Sequence, residues 1–219
     1  MRGLSSRVFI YPMSYDLGFA PNPYNGFCTL ACCKPRIRKV ANTGDWVIGM
    51  GGTKLRAAGR CIFAMRITEA MTFDQYSTDP RFLTRRPVRN GTRKKLVGDN
   101  VYSRATTDYE WVQADCVHSL EDGTQCQANT DHDTKTNRVL ISDHFIYFGS
   151  SAPSVPQWLL EDVGFIRIRD YCAPPLERCD DLINWVSDQS PEGFGRVLGV
   201  PFDHDKSTKR YSHEKNRLV

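Results

Sequence analysis

The 219-residue chain lacks any apolar run near the roughly 18 residues that a membrane-spanning helix requires. Its longest hydrophobic stretches, Val139–Tyr147 and Trp46–Met50, have the length of strands. Met1–Ile10 has no apolar core of the kind a secretory leader carries, so a cytoplasmic protein is expected. Several signatures are missing too: there is no P-loop, no G-x-G-x-x-G, no H-E-x-x-H and no G-x-S-x-G. These absences remove the common phosphate-loop, dinucleotide, zinc-peptidase and serine-hydrolase readings and leave any cofactor unknown. Repeats and low-complexity tracts are absent as well. What is present, 40% hydrophobic and 25% charged residues, is the composition of a folded domain long enough to bury its own core.

Cysteine is plentiful. The eight residues Cys28, Cys32, Cys33, Cys61, Cys116, Cys126, Cys172 and Cys179 are expected to be reduced thiols in a chain of this length without a leader. Cys28-x3-Cys32 has the spacing of half a zinc site, but no second close pair follows. Cys116, His118, Cys126 and His132 can be drawn as a set, with spacings that match no common template. No metal is therefore predicted, and the thiols read as small buried hydrophobes.

Charge is unevenly spread. The net charge of +4 hides residues 34–104, with sixteen basic and five acidic residues, and residues 105–165, with two basic and ten acidic. The first stretch carries +11 and the second −8. Such a division points to a directed surface, with a polyanion such as nucleic acid as the natural partner of the basic half. It suggests that the basic half positions a polyanion while the acidic strip lines or backs a pocket.

Strand patterns outnumber helical ones. Arg7–Tyr11, Asp45–Gly49, Arg60–Thr68, Tyr109–Val117, Arg138–Ser142, His144–Gly149 and Gly164–Ile168 read as strands divided by glycine, proline and asparagine turns. Leu176–Ser187 has a helical apolar face, Thr72–Tyr76 starts a short helix stopped by Pro80, and a turn of helix in Thr29–Ala41 is interrupted by Pro35. The pattern predicts an α+β fold: a small curved or closed, mainly antiparallel β-barrel with a few short helices. One domain over 1–169 would carry a C-terminal extension, 170–219, holding one helix and a frayed polar tail.

The densest chemistry lies in Tyr15–Gly52, which packs Asp16, Asn22, Cys28, Thr29, Cys33, Lys34, Arg36 and Asp45 among glycines and prolines. Three readings fit: a thiol activated by adjacent cations, a phosphate cradle, or a tight loop with its cations in water. Arg85, Arg86, Arg89, Arg93, Lys94 and Lys95 form a loop-like cationic run that could track a phosphate backbone or simply be solvated. Asp99 and Asn100 stand where a turn enters a strand, positioned to read a base edge with Tyr102 or Trp111 stacking, although core packing is the commoner fate of such rings. Ser142 and His144 share one strand face while Asp143 takes the other, so the three make no triad. His144 is either a general base or a partly buried structural histidine.

FAPNPYNGFCTLACCKPRIRKVANTGDWVIGMGG, followed by FDQYSTDPRF, GDNVY and RVLISDHFIYFG, resembles the second of the nucleotide modification associated domain families of bacteria and phages. The resemblance runs from about Tyr15 to Pro156 and implies a link to modification of DNA bases, with a fold similar in outline to PUA-like barrels. Two function classes follow. An enzyme acting on a base or nucleotide would use Cys28 or Cys33 as nucleophile, Asp45 or His144 as base, and Lys34 beside them. Asn22, Thr29, Arg36, Trp46, Asp99, Asn100, Tyr102 and Ser142 would bind the nucleotide or its phosphate. A non-catalytic reader would instead hold a modified or flipped base in an aromatic cavity opening on the basic face. Partner proteins of a modification or phage-related system would accompany either.

Overall fold

Apolar alternation carries much of the chain into short strands, and the structure, a computed structural model, describes residues 6–166, 168–212 and 214–219. The first half runs β1 (Val8–Met13), β2 (Cys28–Leu30), α1 (Pro35–Val40), β3 (Trp46–Gly51), β4 (Cys61–Arg66), β5 (Glu69–Met71), α2 (Phe73–Thr78) and α3 (Arg93–Leu96). Next come β6 (Tyr102–Ser103), β7 (Val112–Gln113), α4 (Gln127–Thr134), β8 (Val139–Ser142), β9 (His144–Tyr147) and α5 (Gln157–Asp162). The chain ends with α6 (Asp180–Asp188), β10 (Arg196–Val197), β11 (Tyr211–Ser212) and β12 (Arg217–Leu218).

These strands do not close into a barrel. They form a five-stranded mixed sheet in the order β1-β3-β4-β9-β10, a three-stranded antiparallel sheet β2-β8-β5, and the pairs β6-β7 and β11-β12. The expected mainly antiparallel, PUA-like barrel is thus replaced by a mixed α/β arrangement of several small sheets. Alternation reports which strands have a buried face but not how they pair, and here β1 pairs with β3 in parallel, as does β9 with β10. The outer edge of β1 is covered by the segment around Cys172 and Pro174, which exchanges backbone hydrogen bonds with Ile10 and Val8.

The two larger sheets share one bent ribbon. Residues 61–71 and 139–147 run antiparallel, with Phe63 opposite Tyr147 in one sheet and Ala70 opposite Leu140 in the other. The bend falls at Asp143, where the Ser142 hydroxyl reaches the Arg66 carbonyl (2.6 Å) and accepts from the His144 N–H (3.0 Å). Strand β8 is buried on both faces: Leu140 belongs to the apolar cluster of the large sheet, Val139 and Ile141 to a second cluster around Phe73, Tyr76 and Phe82.

Local signals explain several helices. Thr72 accepts from the Gln75 N–H while the Gln75 side chain accepts from the Thr72 N–H, a capping box that starts α2. Pro35 begins α1 rather than interrupting it, because the first turn needs no donor there. Tyr109–Val117 keeps only Val112–Gln113 as paired strand, and 164–168, whose Arg167 lies outside the described residues, shows no strand among those described. His213 of the tail also lies outside them, and the described tail is held by long-range hydrogen bonds. Tyr211 donates its N–H to the Val117 carbonyl (2.7 Å), and the Asp203 carboxylate accepts from the Asp16 N–H (3.0 Å).

Candidate active site

Strand β2 delivers the chain into a tight turn before α1, and two consecutive non-glycine residues there, Cys33 (φ 59°) and Lys34 (φ 42°), adopt the left-handed conformation. That backbone costs energy for both residues and is held by partners. The Cys33 N–H donates to Asp133 Oδ1 (2.6 Å), and the Arg38 guanidinium, 0% exposed, donates to the Cys33 carbonyl (2.8 Å). Arg38 also reaches the carbonyls of Thr136 (2.9 Å), Arg138 (2.6 Å) and Asp133. The turn carrying Cys33 is thereby locked to α4, the helix bearing Asp133.

The same helix completes a constellation. Cys33 Sγ stands 3.7 Å from His118 Nε2, and His118 Nδ1 lies 2.7 Å from Asp133 Oδ2. Asp133 also accepts from the Tyr102 hydroxyl (2.8 Å), itself a partner of the Gln113 amide (3.1 Å). Asn129, one turn before Asp133 on α4, donates to the His118 carbonyl (2.6 Å). This is the nucleophile–base–orienting-carboxylate order of a thiol triad.

Electrostatics favours the charged pair. Burial pushes the Asp133 carboxyl up, but the charge of His118, their hydrogen bond and the Arg38 guanidinium overcome it and bring the group down to about 2. Burial alone would lower the His118 imidazolium; the charges of Asp133 and Cys33 and the hydrogen bonds to both hold it well above the ordinary histidine value. The imidazolium thus faces the Cys33 sulfur. Lys34, lowered by burial, lays its ammonium 4.5 Å from the centre of the Tyr11 ring.

Cys33 and His118 open into a cavity of about 480 Å³ walled by Tyr11, Tyr15, Phe19 and Tyr211, with Lys34, Arg36 and Lys135 among its charged residues. Its size is that of a small-ligand pocket. Phe19 packs edge-on to His118 with centroids 4.8 Å apart, and Tyr15 meets Tyr211 at 6.1 Å. Two buried polar atoms of lining residues have no partner among the described residues: the Tyr11 hydroxyl and Asn129 Oδ1. Arg36 is paired with Asp170 (2.7 Å), both well exposed. The basic half and the acidic strip thus both contribute to the lining, through Lys34 and Arg36 on one side and His118, Asn129 and His132 on the other.

Of the residues expected to be catalytic, Cys33 and Lys34 are at this pocket. Cys28 is fully buried in β2, and burial raises its thiol strongly. Asp45 ties a turn, accepting from the N–H groups of Arg7 (2.8 Å) and Asn42 (2.9 Å). His144 stacks on Phe194 with centroids 3.8 Å apart and meets the edge of Trp46; burial, then Arg66, lowers it. Trp46 lines a separate depression with Arg66 and Asp180. None of these three candidates lines the pocket.

Of the expected nucleotide-binding residues, Arg36 lines the pocket, and Asn22, Thr29 and Asp99 form a buried network. Arg85, 2% exposed, donates to Asn22 Oδ1 (2.8 Å), Thr29 Oγ1 (2.8 Å) and the carbonyls of Phe27 (2.7 Å) and Tyr24, and lies 3.6 Å from Asp99. Asp99 accepts from the hydroxyls of Tyr76 (2.9 Å) and Thr29. Asn100 donates to the Tyr76 and Phe82 carbonyls (3.1 Å each), Ser142 holds the ribbon bend, and Tyr102 supports Asp133. Arg85 therefore does not reach a phosphate on the surface. Its neighbours Arg86, Arg93 and Lys94 are exposed and Arg89 and Lys95 half-buried. Arg89 donates to the Thr208 carbonyl (2.7 Å), Arg86 to Ser77 (2.9 Å) and Lys95 to Thr84 (3.0 Å).

His118 and Asp133 escaped the sequence reading, although His118 was drawn in a metal set. Among the described residues that set does not converge; Cys32, His118 and Asp133 do, with ligand atoms within 4.8 Å of one another. Asp133 is already engaged there by three donors, and the Cys32 thiol, raised by burial, leans on the Asp99 carbonyl at 4.0 Å. The cluster's donors are thus committed to the triad and its supports.

No curated protein and no solved structure matches the chain. The model of one protein family, described as nucleotide modification associated domain 2, matches residues 5–208. With nearly its whole length covered, a thiol triad in an aromatic pocket thus sits in a chain that belongs to the nucleotide modification associated domain 2 family, whose description ties it to nucleotide modification.

Proposed function

We propose that the protein is a cysteine-dependent enzyme that modifies a base or nucleotide, with Cys33 as nucleophile, His118 as its proton partner and Asp133 orienting the imidazole. The observation that carries this reading is the Cys33–His118–Asp133 alignment opening into a 480 Å³ cavity. Tyr15, Phe19 and Tyr211 offer faces for a base, Asn129 Oδ1 offers an acceptor to a base-edge N–H, and Lys34 and Arg36 offer charge to a phosphate. The exposed Arg86, Arg93 and Lys94 supply the nucleic-acid contact when the base lies within DNA.

Incubation with modified and unmodified DNA and with free nucleotides, followed by mass spectrometry, tests the reading. An altered base or a Cys33-bound adduct is expected, and both disappear in Cys33→Ala. The aromatic walls alone would also suit a reader. A base retained unchanged, and retained equally by Cys33→Ala, would establish a reader and overturn the enzyme.

A further inference from the structure

The Tyr11 side chain is fully packed, 2% exposed, yet its hydroxyl has no hydrogen-bond partner among the described residues. A buried hydroxyl normally finds one, so an unpaired donor in a cavity wall marks where a ligand acceptor belongs. Tyr11 comes from β1, in register with Gly49 of β3, and its ring is fixed edge-on against Phe63 (6.1 Å) and under the Lys34 ammonium (4.5 Å). It lines the same cavity as Cys33. Burial raises the phenol well above its ordinary value, so it remains an O–H donor.

We propose that Tyr11 is the oxyanion donor of the site and that Cys33 takes an acyl group from a carbonyl substrate, making the protein an acyl-transfer enzyme. The inference rests on Cys33 being the nucleophile. In the first step the Cys33 thiolate forms an S–C bond to the carbonyl carbon, and the π pair moves onto oxygen beneath the Tyr11 hydroxyl. Collapse breaks the bond to the leaving group, which takes the proton from His118 Nε2 and leaves a thioester on Cys33. Water, or an amine on the nucleotide, then adds to the thioester while giving its proton to His118. The S–C bond breaks, and Cys33 returns as thiolate. No oxidant or reductant is consumed.

Two reagents separate this inference from the one beneath it. p-Nitrophenyl acetate acylates a thiol through an oxyanion, whereas methyl methanethiosulfonate exchanges at sulfur and forms none. Tyr11→Phe keeps the ring over which Lys34 sits. It is expected to slow Cys33 acylation about 100-fold, as loss of one oxyanion donor does, while slowing disulfide exchange less than twofold. Both rates are read at Cys33 by mass spectrometry of peptides. Equal effects on the two reagents, or no effect on acylation, would overturn the role of Tyr11. If Cys33 is no faster than the other seven thiols towards methyl methanethiosulfonate, the nucleophile reading itself fails. A wild-type measurement guards against misfolding of the variant. The ratio of acylation to exchange at Cys33 should exceed that of glutathione by about 100-fold, and a ratio equal to that of glutathione would refute the proposal.

Discussion

Asp133 does three things at once: it receives the Cys33 N–H, the Tyr102 hydroxyl and the His118 ring. Asp133→Asn should hold His118 in the wrong tautomer and lower Cys33 reactivity about 100-fold or more at neutral pH, measured with iodoacetamide. It should also destabilise the fold by about 3 kcal/mol in urea titration, since it leaves a buried cation unpaired. The pH dependence follows from the two shifts. The depressed Asp133 contributes stability that is present above its unfolded value near pH 4 and is lost as pH falls towards about 2. The raised His118 contributes stability that is complete below about pH 6.5 and is lost as pH rises through its higher folded value. The variant's deficit should therefore be largest between those limits. Cys33 and Lys34 were visible in the sequence as part of a dense polar segment. His118 and Asp133 were not, because Asp133 is 100 residues from Cys33 and only tertiary folding aligns them.

Elements with a local code were legible, and those defined by partners were not. Thr72 and Gln75 announce α2 in the sequence, and Thr72→Ala should cost about 1 kcal/mol in thermal or chemical unfolding. By contrast α4, with the sequence QANTDHDT, has almost no apolar face; its buried positions are Asn129, Thr130 and Asp133, which are held by hydrogen bonds. Hydrophobic periodicity is silent about such a helix. The cationic run shows the same limit. Arg85 looks like its neighbours in the sequence, but it is the hub of the loop Asn22–Phe27 and packs where Gly98 brings the backbone close: a Cβ there would stand 2.2 Å from the Arg85 carbonyl oxygen. Arg85→Met should destabilise by about 3 kcal/mol because Asp99 loses its buried cation. Exposed Arg93→Ala should change stability by less than about 0.5 kcal/mol. Equal losses in the two variants would place Arg85 outside the core.

At the scale of the molecule, barrel closure was a property of pairing that no strand pattern states. The tail, too, gains its order from distant groups. Asp16 holds it by accepting from the Phe202 N–H (3.0 Å) and from the Tyr147 hydroxyl. Burial raises Asp16 to about 6 against the hydrogen bonds it accepts. The folded state thus keeps this proton longer than the unfolded chain does. Its contribution to stability falls as pH rises from about 4 to 6, by up to about 1.4 kcal/mol per unit, and is flat above. Asp16→Asn should remove that slope from urea midpoints measured across the interval.

The bent ribbon has a further consequence. With Leu140 facing one apolar cluster and Val139 and Ile141 the other, β8 is a party wall between two rooms. Neither room can be opened while the other stays furnished, since the wall belongs to both. Calorimetry should record one cooperative transition, with amide protons of Ile48 in one cluster and Tyr76 in the other released together as denaturant rises. A substrate that tightens the cavity beside the Cys33 turn would, through that wall, slow exchange across the whole molecule.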